Sequence, residues 1–121
     1  VMHSGEDIPV VTPEVRLRDG LMEMTAKGLG MTAVVDENFR PISVFTDGDL
    51  RRALDAGADG HATPMRDVVA SGCKTIAESA LAIEAVNLLE EYRITALPVV
   101  DDDGRLVGAL NIHDLFRAGI M

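Results

Sequence analysis

The feature that most constrains this chain is an internal repeat. Shifting the sequence by 65 positions lays Val34–Leu54 on Val99–Gly119 without a gap. Eight of those 21 pairs are identical: Val34/Val99, Val35/Val100, Asp36/Asp101, Arg40/Arg105, Asp49/Asp114, Leu50/Leu115, Arg52/Arg117 and Ala53/Ala118. Average composition gives about one or two such matches by chance. The register runs backwards through Asp19/Glu84, Leu21/Val86 and Met24/Leu89. A duplicated unit of about 55 residues buries too little apolar surface to stand alone, so the two copies are expected to pack together.

Each copy reads as β-α-β-β-α. Met31–Val35 and Ala96–Val100 are short, β-branched apolar runs, hence buried strands. Turn chemistry at Asp36-Glu37-Asn38 and Asp101-Asp102-Asp103-Gly104 leads into second strands at Pro41–Phe45 and Leu106–Leu110. Helical spacing precedes each pair: Leu17, Leu21 and Met24 in the first copy, Leu81, Ala85, Leu88 and Tyr92 in the second. A further helix follows each, Asp47–Ala56 and Ile112–Ala118, and apolar patches at Pro9–Thr12 and Thr75–Ile76 offer one more strand apiece. The expected fold is α/β, with residues 1–57 as repeat 1, 57–64 as a Gly-containing linker and 65–121 as repeat 2. A pseudo-two-fold axis is expected to relate the copies. Their sheets are expected to meet edge to edge, with one cleft near Thr46–Asp49 and another near Asn111–Asp114.

Charge removes several function classes. The chain carries 20 acidic and 11 basic residues, a formal charge of −9. A nucleic-acid binder needs a basic footprint to replace phosphate counterions, and an anionic membrane surface repels such a chain. One cysteine, Cys73, permits no internal disulfide and fits a reducing cytoplasm. No apolar run reaches the roughly 20 residues of a membrane span. Sharper chemistries fail too. An EF-hand built on Asp101–Gly104 would place Val99 at its first ligand position. His3, His61 and His113 have no i, i+4 partner for zinc, and Gly28-Leu29-Gly30 precedes a strand rather than a helix. No nucleophile elbow or phosphate-binding P-loop is present, and no residue set looks catalytic.

Thr46-Asp47-Gly48-Asp49 stands where a strand hands over to a helix, and two readings of it stay open. It is a capping box, worth about 1 kcal/mol to the helix start. It is also a set of groups suited to a nucleotide: helix N–H groups for phosphate, the Thr46 hydroxyl, and a carboxylate at Asp49 that accepts from two ribose hydroxyls. Asn111-Ile112-His113-Asp114 is its repeat mate. There Asn111 caps or donates, His113 is a structural histidine or a ligand contact, and Asp114 inherits the role of Asp49. Arg52 and Arg117 lie three residues past these acids, on the same helical face, placed to pair with Asp49 or Asp114 or with a ligand anion. Thr12, Thr32 and Thr75, on or beside the inner strands, are weaker candidates for lining a cleft.

Tandem β-α-β-β-α units ending in "apolar-apolar-Asp, turn, strand, Thr-x-x-Asp, helix" resemble a cystathionine-β-synthase (CBS) domain pair, or Bateman module, over the whole chain. Val1–Pro9, Leu29–Asn38, Phe45–Leu54 and His113–Met121 are similar, more narrowly, to the C-terminal CBS pair of D-arabinose-5-phosphate isomerases. Ser43 stands where many CBS repeats carry Gly, and Asn111 replaces Thr in the second copy. The resemblance implies that Thr46 and Asp49 read phosphate and ribose. It further implies a cytoplasmic regulatory module cut from a parent with an N-terminal sugar-isomerase domain, a homodimer through the CBS pairs, and room for a tetramer in the parent. The expected ligand is an adenosine or cytidine nucleotide. CMP-Kdo, the activated end product of ketodeoxyoctonate (Kdo) synthesis for lipopolysaccharide, is the logical effector, with AMP or ATP fitting nearly as well. The rival expectation is an oligomerisation module without a ligand.

Overall fold

A computed structural model describes residues 3–4, 8–27, 30–69, 72–80 and 82–112. Its elements, in chain order, are β1 (His3–Ser4), β2 (Val10–Val11), α1 (Leu17–Lys27), β3 (Met31–Val35), β4 (Pro41–Thr46), α2 (Asp47–Asp55), a 3₁₀ turn (Met65–Asp67), β5 (Ile76–Ala77), α3 (Ala82–Tyr92), β6 (Ala96–Val100) and β7 (Leu106–Asn111). One sheet has the order β2-β3-β4, the other β1-β7-β6-β5.

The duplication is visible bond by bond. Antiparallel β3–β4 pairs Met31 with Thr46 and Thr32 with Phe45; β6–β7 pairs Ala96 with Asn111 and Leu97 with Leu110. Both hairpins shift register at the equivalent step, Val34/Val35 and Val99/Val100. The turns match as well. The Asp36 carboxylate accepts from the N–H groups of Asn38 (2.8 Å) and Arg40 (3.0 Å), and the Asp101 carboxylate from those of Asp103 (2.9 Å) and Arg105 (3.0 Å). These two aspartates are turn-formers.

Among the described residues, the first repeat packs its sheet on α1 and α2 and the second on α3. Val34 and Phe45 join Leu17 and Met24 in one core, and Leu97, Val99 and Leu110 join Ala85, Val86 and Leu89 in the other. Between them lies a third apolar cluster built from both copies: Met31, Ala33 and Val35 of β3 with Ala96, Leu106 and Ala109 of β6 and β7. Alternate residues of a strand point to opposite faces, so β3 serves its own helix with one face and the other repeat with the second. The edge-to-edge expectation is therefore corrected: the sheets meet through the faces turned away from the helices. Burying both faces leaves every residue of Met31–Val35 buried, and four of the five are apolar.

Short segments also cross between copies. β1, from the start of the chain, pairs antiparallel with β7 of the second repeat. The side chain of Met65 is wholly buried in the first repeat's core. The spacing of α3 needs a correction too. Tyr92, grouped by periodicity with the buried face, is 43% exposed, while Ala85, Val86 and Leu89 carry the packing. The helix expected after Asn111, with His113, Asp114 and Arg117, lies outside the described residues.

Candidate functional site

At the end of β4 the chain turns into α2, and Thr46 caps the helix. The Thr46 N–H donates to Asp49 Oδ2 at 2.8 Å, the Thr46 hydroxyl donates to the same oxygen at 3.1 Å, and the Asp49 N–H donates to Thr46 Oγ1 at 3.4 Å. Arg52 Nη2 donates to the other oxygen, Oδ1, in a close ion pair one helical turn on. The Asp49 side chain is 19% exposed and that of Arg52 73% exposed. The expected pairing of Arg52 with Asp49 is thus present.

This corner opens into a cavity of about 720 Å³ between the two repeats. The first repeat supplies Ser43, Thr46, Asp49 and Arg52 to its wall; the second supplies Cys73, Lys74, Tyr92, Arg93 and Thr95. A cavity of this size fits the range typical of small-ligand sites. Among the described residues its charge opposes that of the chain: three cations, Arg52, Lys74 and Arg93, line it against one carboxylate, Asp49, in a chain of net charge −9. Lys74 Nζ sits 4.2 Å from the centroid of the Tyr92 ring, a cation–π contact that holds the ammonium at the cleft wall.

Arg93 comes to the cleft by way of the end of α3. The Ile94 N–H donates to Leu89 O at 3.0 Å and the Arg93 N–H to Glu90 O at 3.4 Å, closing the helix in a Schellman motif. Arg93 holds the left-handed position of that motif at φ 54°. Glycine ordinarily fills it, and the equivalent residue one repeat earlier is Gly28. Burial raises the pKa of the Cys73 thiol on the same wall, so it stays protonated at neutral pH.

The sequence-derived candidates separate cleanly. Thr46, Asp49 and Arg52 converge on the cleft. Asp47, in the first turn of α2, is exposed and outside its lining. Thr32 is corrected: it is fully buried, its hydroxyl donating to Gly20 O at 3.5 Å against α1. Thr12 is exposed beside a separate hollow of about 360 Å³ walled by Glu14, Asp36 and Glu37. Thr75 is exposed and, unlike its neighbour Lys74, outside the cleft lining. Asn111 is 8% exposed at the end of β7. His113 and Asp114 lie outside the described residues. Sequence reading missed Lys74, Tyr92 and Arg93. The signal that finds them is the repeat itself, since two copies packed together set the Thr46–Asp49 corner of the first against the second. Among the described residues, no group of His, Cys, Asp and Glu could hold a metal ion, and no helix is long and apolar enough to cross a membrane.

A duplicated β-α-β-β unit, with a helix after it in the first copy and a ligand-sized cleft between the copies at a Thr-x-x-Asp corner, defines a CBS pair. The CBS-domain family model matches residues 1–56 and 65–120, and the chain belongs to that family. It is 52% identical, over all 121 residues, to the arabinose 5-phosphate isomerase KdsD of Pseudomonas aeruginosa, and 44% identical to that of Escherichia coli K12. In each case the whole of this chain matches 37% of the relative's length. Among solved structures, a protein with CBS domains from Burkholderia ambifaria superposes with a TM-score of 0.84 at 28% identity, covering 96% of this chain and 85% of that one. CBSX2, solved in complex with AMP, gives a TM-score of 0.81 at 27% identity over 98% of this chain and 92% of its own.

Proposed function

We propose that this chain is the ligand-sensing CBS pair of an arabinose-5-phosphate isomerase in the cytoplasm, with residues 1–57 and 65–121 as its two repeats. In this reading the cleft at Thr46–Asp49 binds a nucleotide that regulates the sugar-isomerase domain of the parent. The observation that carries it is the cleft's composition. A ribose-accepting carboxylate and a hydroxyl at a helix start face three cations in an otherwise acidic chain. A neutral or cationic ligand has no use for that charge pattern; a phosphate ester does. The AMP complex of CBSX2 supports adenosine nucleotides as ligands.

The two cations from the second repeat, Lys74 and Arg93, favour a ligand with a second anionic group away from its ribose. CMP-Kdo has one: its sugar carboxylate. The match to 37% of the length of KdsD isomerases supports an isomerase parent, and CMP-Kdo is the end product expected to act back on such an enzyme. Homodimerisation through the CBS pair would carry the signal between subunits.

A thermal-shift series with CMP-Kdo, CMP, AMP, ATP and S-adenosylmethionine tests the reading. A ligand at 100 times its Kd stabilises by about 2.7 kcal/mol, which is a rise of several degrees for a domain of this size. The reading predicts such a rise with one or more nucleotides, the largest with CMP-Kdo. No shift with any of them at millimolar concentration overturns it in favour of an oligomerisation module.

A further inference from the structure

Both oxygens of the Asp49 carboxylate are already engaged. Oδ2 accepts from the N–H and the hydroxyl of Thr46, the two donors of the helix cap. Oδ1 accepts from Arg52. Oδ1 keeps one open acceptor site beside Arg52, so a ribose diol that donates both hydroxyls to Asp49 without undoing the cap needs the site Arg52 holds and displaces the guanidinium. Displacement breaks a charge-assisted bond and leaves a guanidinium, 73% exposed, to water, and a neutral sugar hydroxyl offers it no counter-charge. Arg52 is well placed to move: it is largely exposed and lines both the main cleft and a second cavity of about 360 Å³ along α2, walled by Gly57, Thr63 and Asp67.

We infer that Arg52 is a charge lock on Asp49 that makes the cleft selective for phosphate-bearing nucleosides over the neutral nucleosides themselves. This rests on the nucleotide reading above and adds a specificity-determining residue to it. A ligand that brings its own anion into the cleft receives the guanidinium its ribose has pushed aside. A ligand with ribose alone leaves it to solvent, with no counter-charge.

Calorimetric titration of the 121-residue chain with AMP, adenosine, CMP and cytidine reads the lock directly. The wild type should bind a nucleotide about 10- to 150-fold more tightly than its nucleoside, the worth of one charge-assisted hydrogen bond. Arg52→Gln should bring that ratio towards unity, with nucleotide affinity falling and nucleoside affinity no weaker than in the wild type. Arg52→Met, which keeps the aliphatic stem and removes the charge, should behave alike. A ratio that survives in either variant overturns the lock. So does a wild type that binds nucleoside as tightly as nucleotide, the result expected if the guanidinium swings to Asp67 instead. Either outcome leaves nucleotide binding standing. A wild type that binds none of the four ligands takes down the nucleotide reading and the lock with it.

Discussion

Arg93 occupies a backbone position that glycine fills at lower cost. A left-handed conformation costs an L-residue about 1–2 kcal/mol, and the first repeat carries Gly28 at the equivalent place. Keeping arginine there makes sense if its side chain serves the cleft it lines. Arg93→Gly should then stabilise the chain by about 0.5–1 kcal/mol, the strain relieved less the extra freedom of glycine in the unfolded state. It should weaken nucleotide binding at the same time. A melting curve beside a titration checks both. A variant that loses stability, or binds as well as the wild type, contradicts the role given to Arg93. At this scale the sequence is legible where chemistry is local. The Thr46–Asp49 capping box and the Arg52 pairing follow from residues three apart. Lys74 and Tyr92 are unremarkable in sequence, because only the packing of the second repeat brings them to the first repeat's helix.

The linker was expected as a plain connection between copies, but its carbonyls cap a helix. Leu17 N–H donates to Thr63 O at 2.8 Å and Arg18 N–H to Gly60 O at 3.0 Å, satisfying two of the donors that open α1. Met65 then enters the core of repeat 1, and a Cβ added at Gly20 of α1 would fall 2.5 Å from its Sδ. A glycine inside a helix costs about 1 kcal/mol relative to alanine; here it makes room for the sulfur. Met65→Ala should cost about 2–5 kcal/mol, as for other fully buried side chains. Gly20→Ala should be unfavourable alone yet stabilising in the Met65→Ala background, a coupling that a double-mutant cycle by chemical denaturation measures. Additive effects would mean that the two residues do not touch. None of this is legible from periodicity, which reports which face of a helix is apolar and not which distant segment covers it. The crossing of β1 to the second sheet is hidden for the same reason: a two-residue strand leaves no pattern.

At the scale of the whole molecule, duplication explains both the shared core and the cleft. Two units, each too small to hold a core alone, share a central apolar layer from β3, β6 and β7. The same packing opens a cleft that neither copy can build by itself. The architecture was readable because a 65-residue offset preserves strands, turns and helix starts together. The face-to-face meeting of the sheets was not, since a strand buried on both sides reads as an apolar run whichever way it is covered. The account's central claim is that the Asp49 carboxylate reads a nucleotide in that cleft rather than merely capping α2. Calorimetric titration of AMP, CMP and CMP-Kdo into the wild type and Asp49→Asn, with a melting curve for each protein, tests it most directly. Asparagine keeps the shape and the capping ability and loses the charged acceptor, so the account predicts an affinity loss of about 10- to 150-fold with a stability change below about 1 kcal/mol. A clear drop in Tm with nucleotide affinity intact would contradict it.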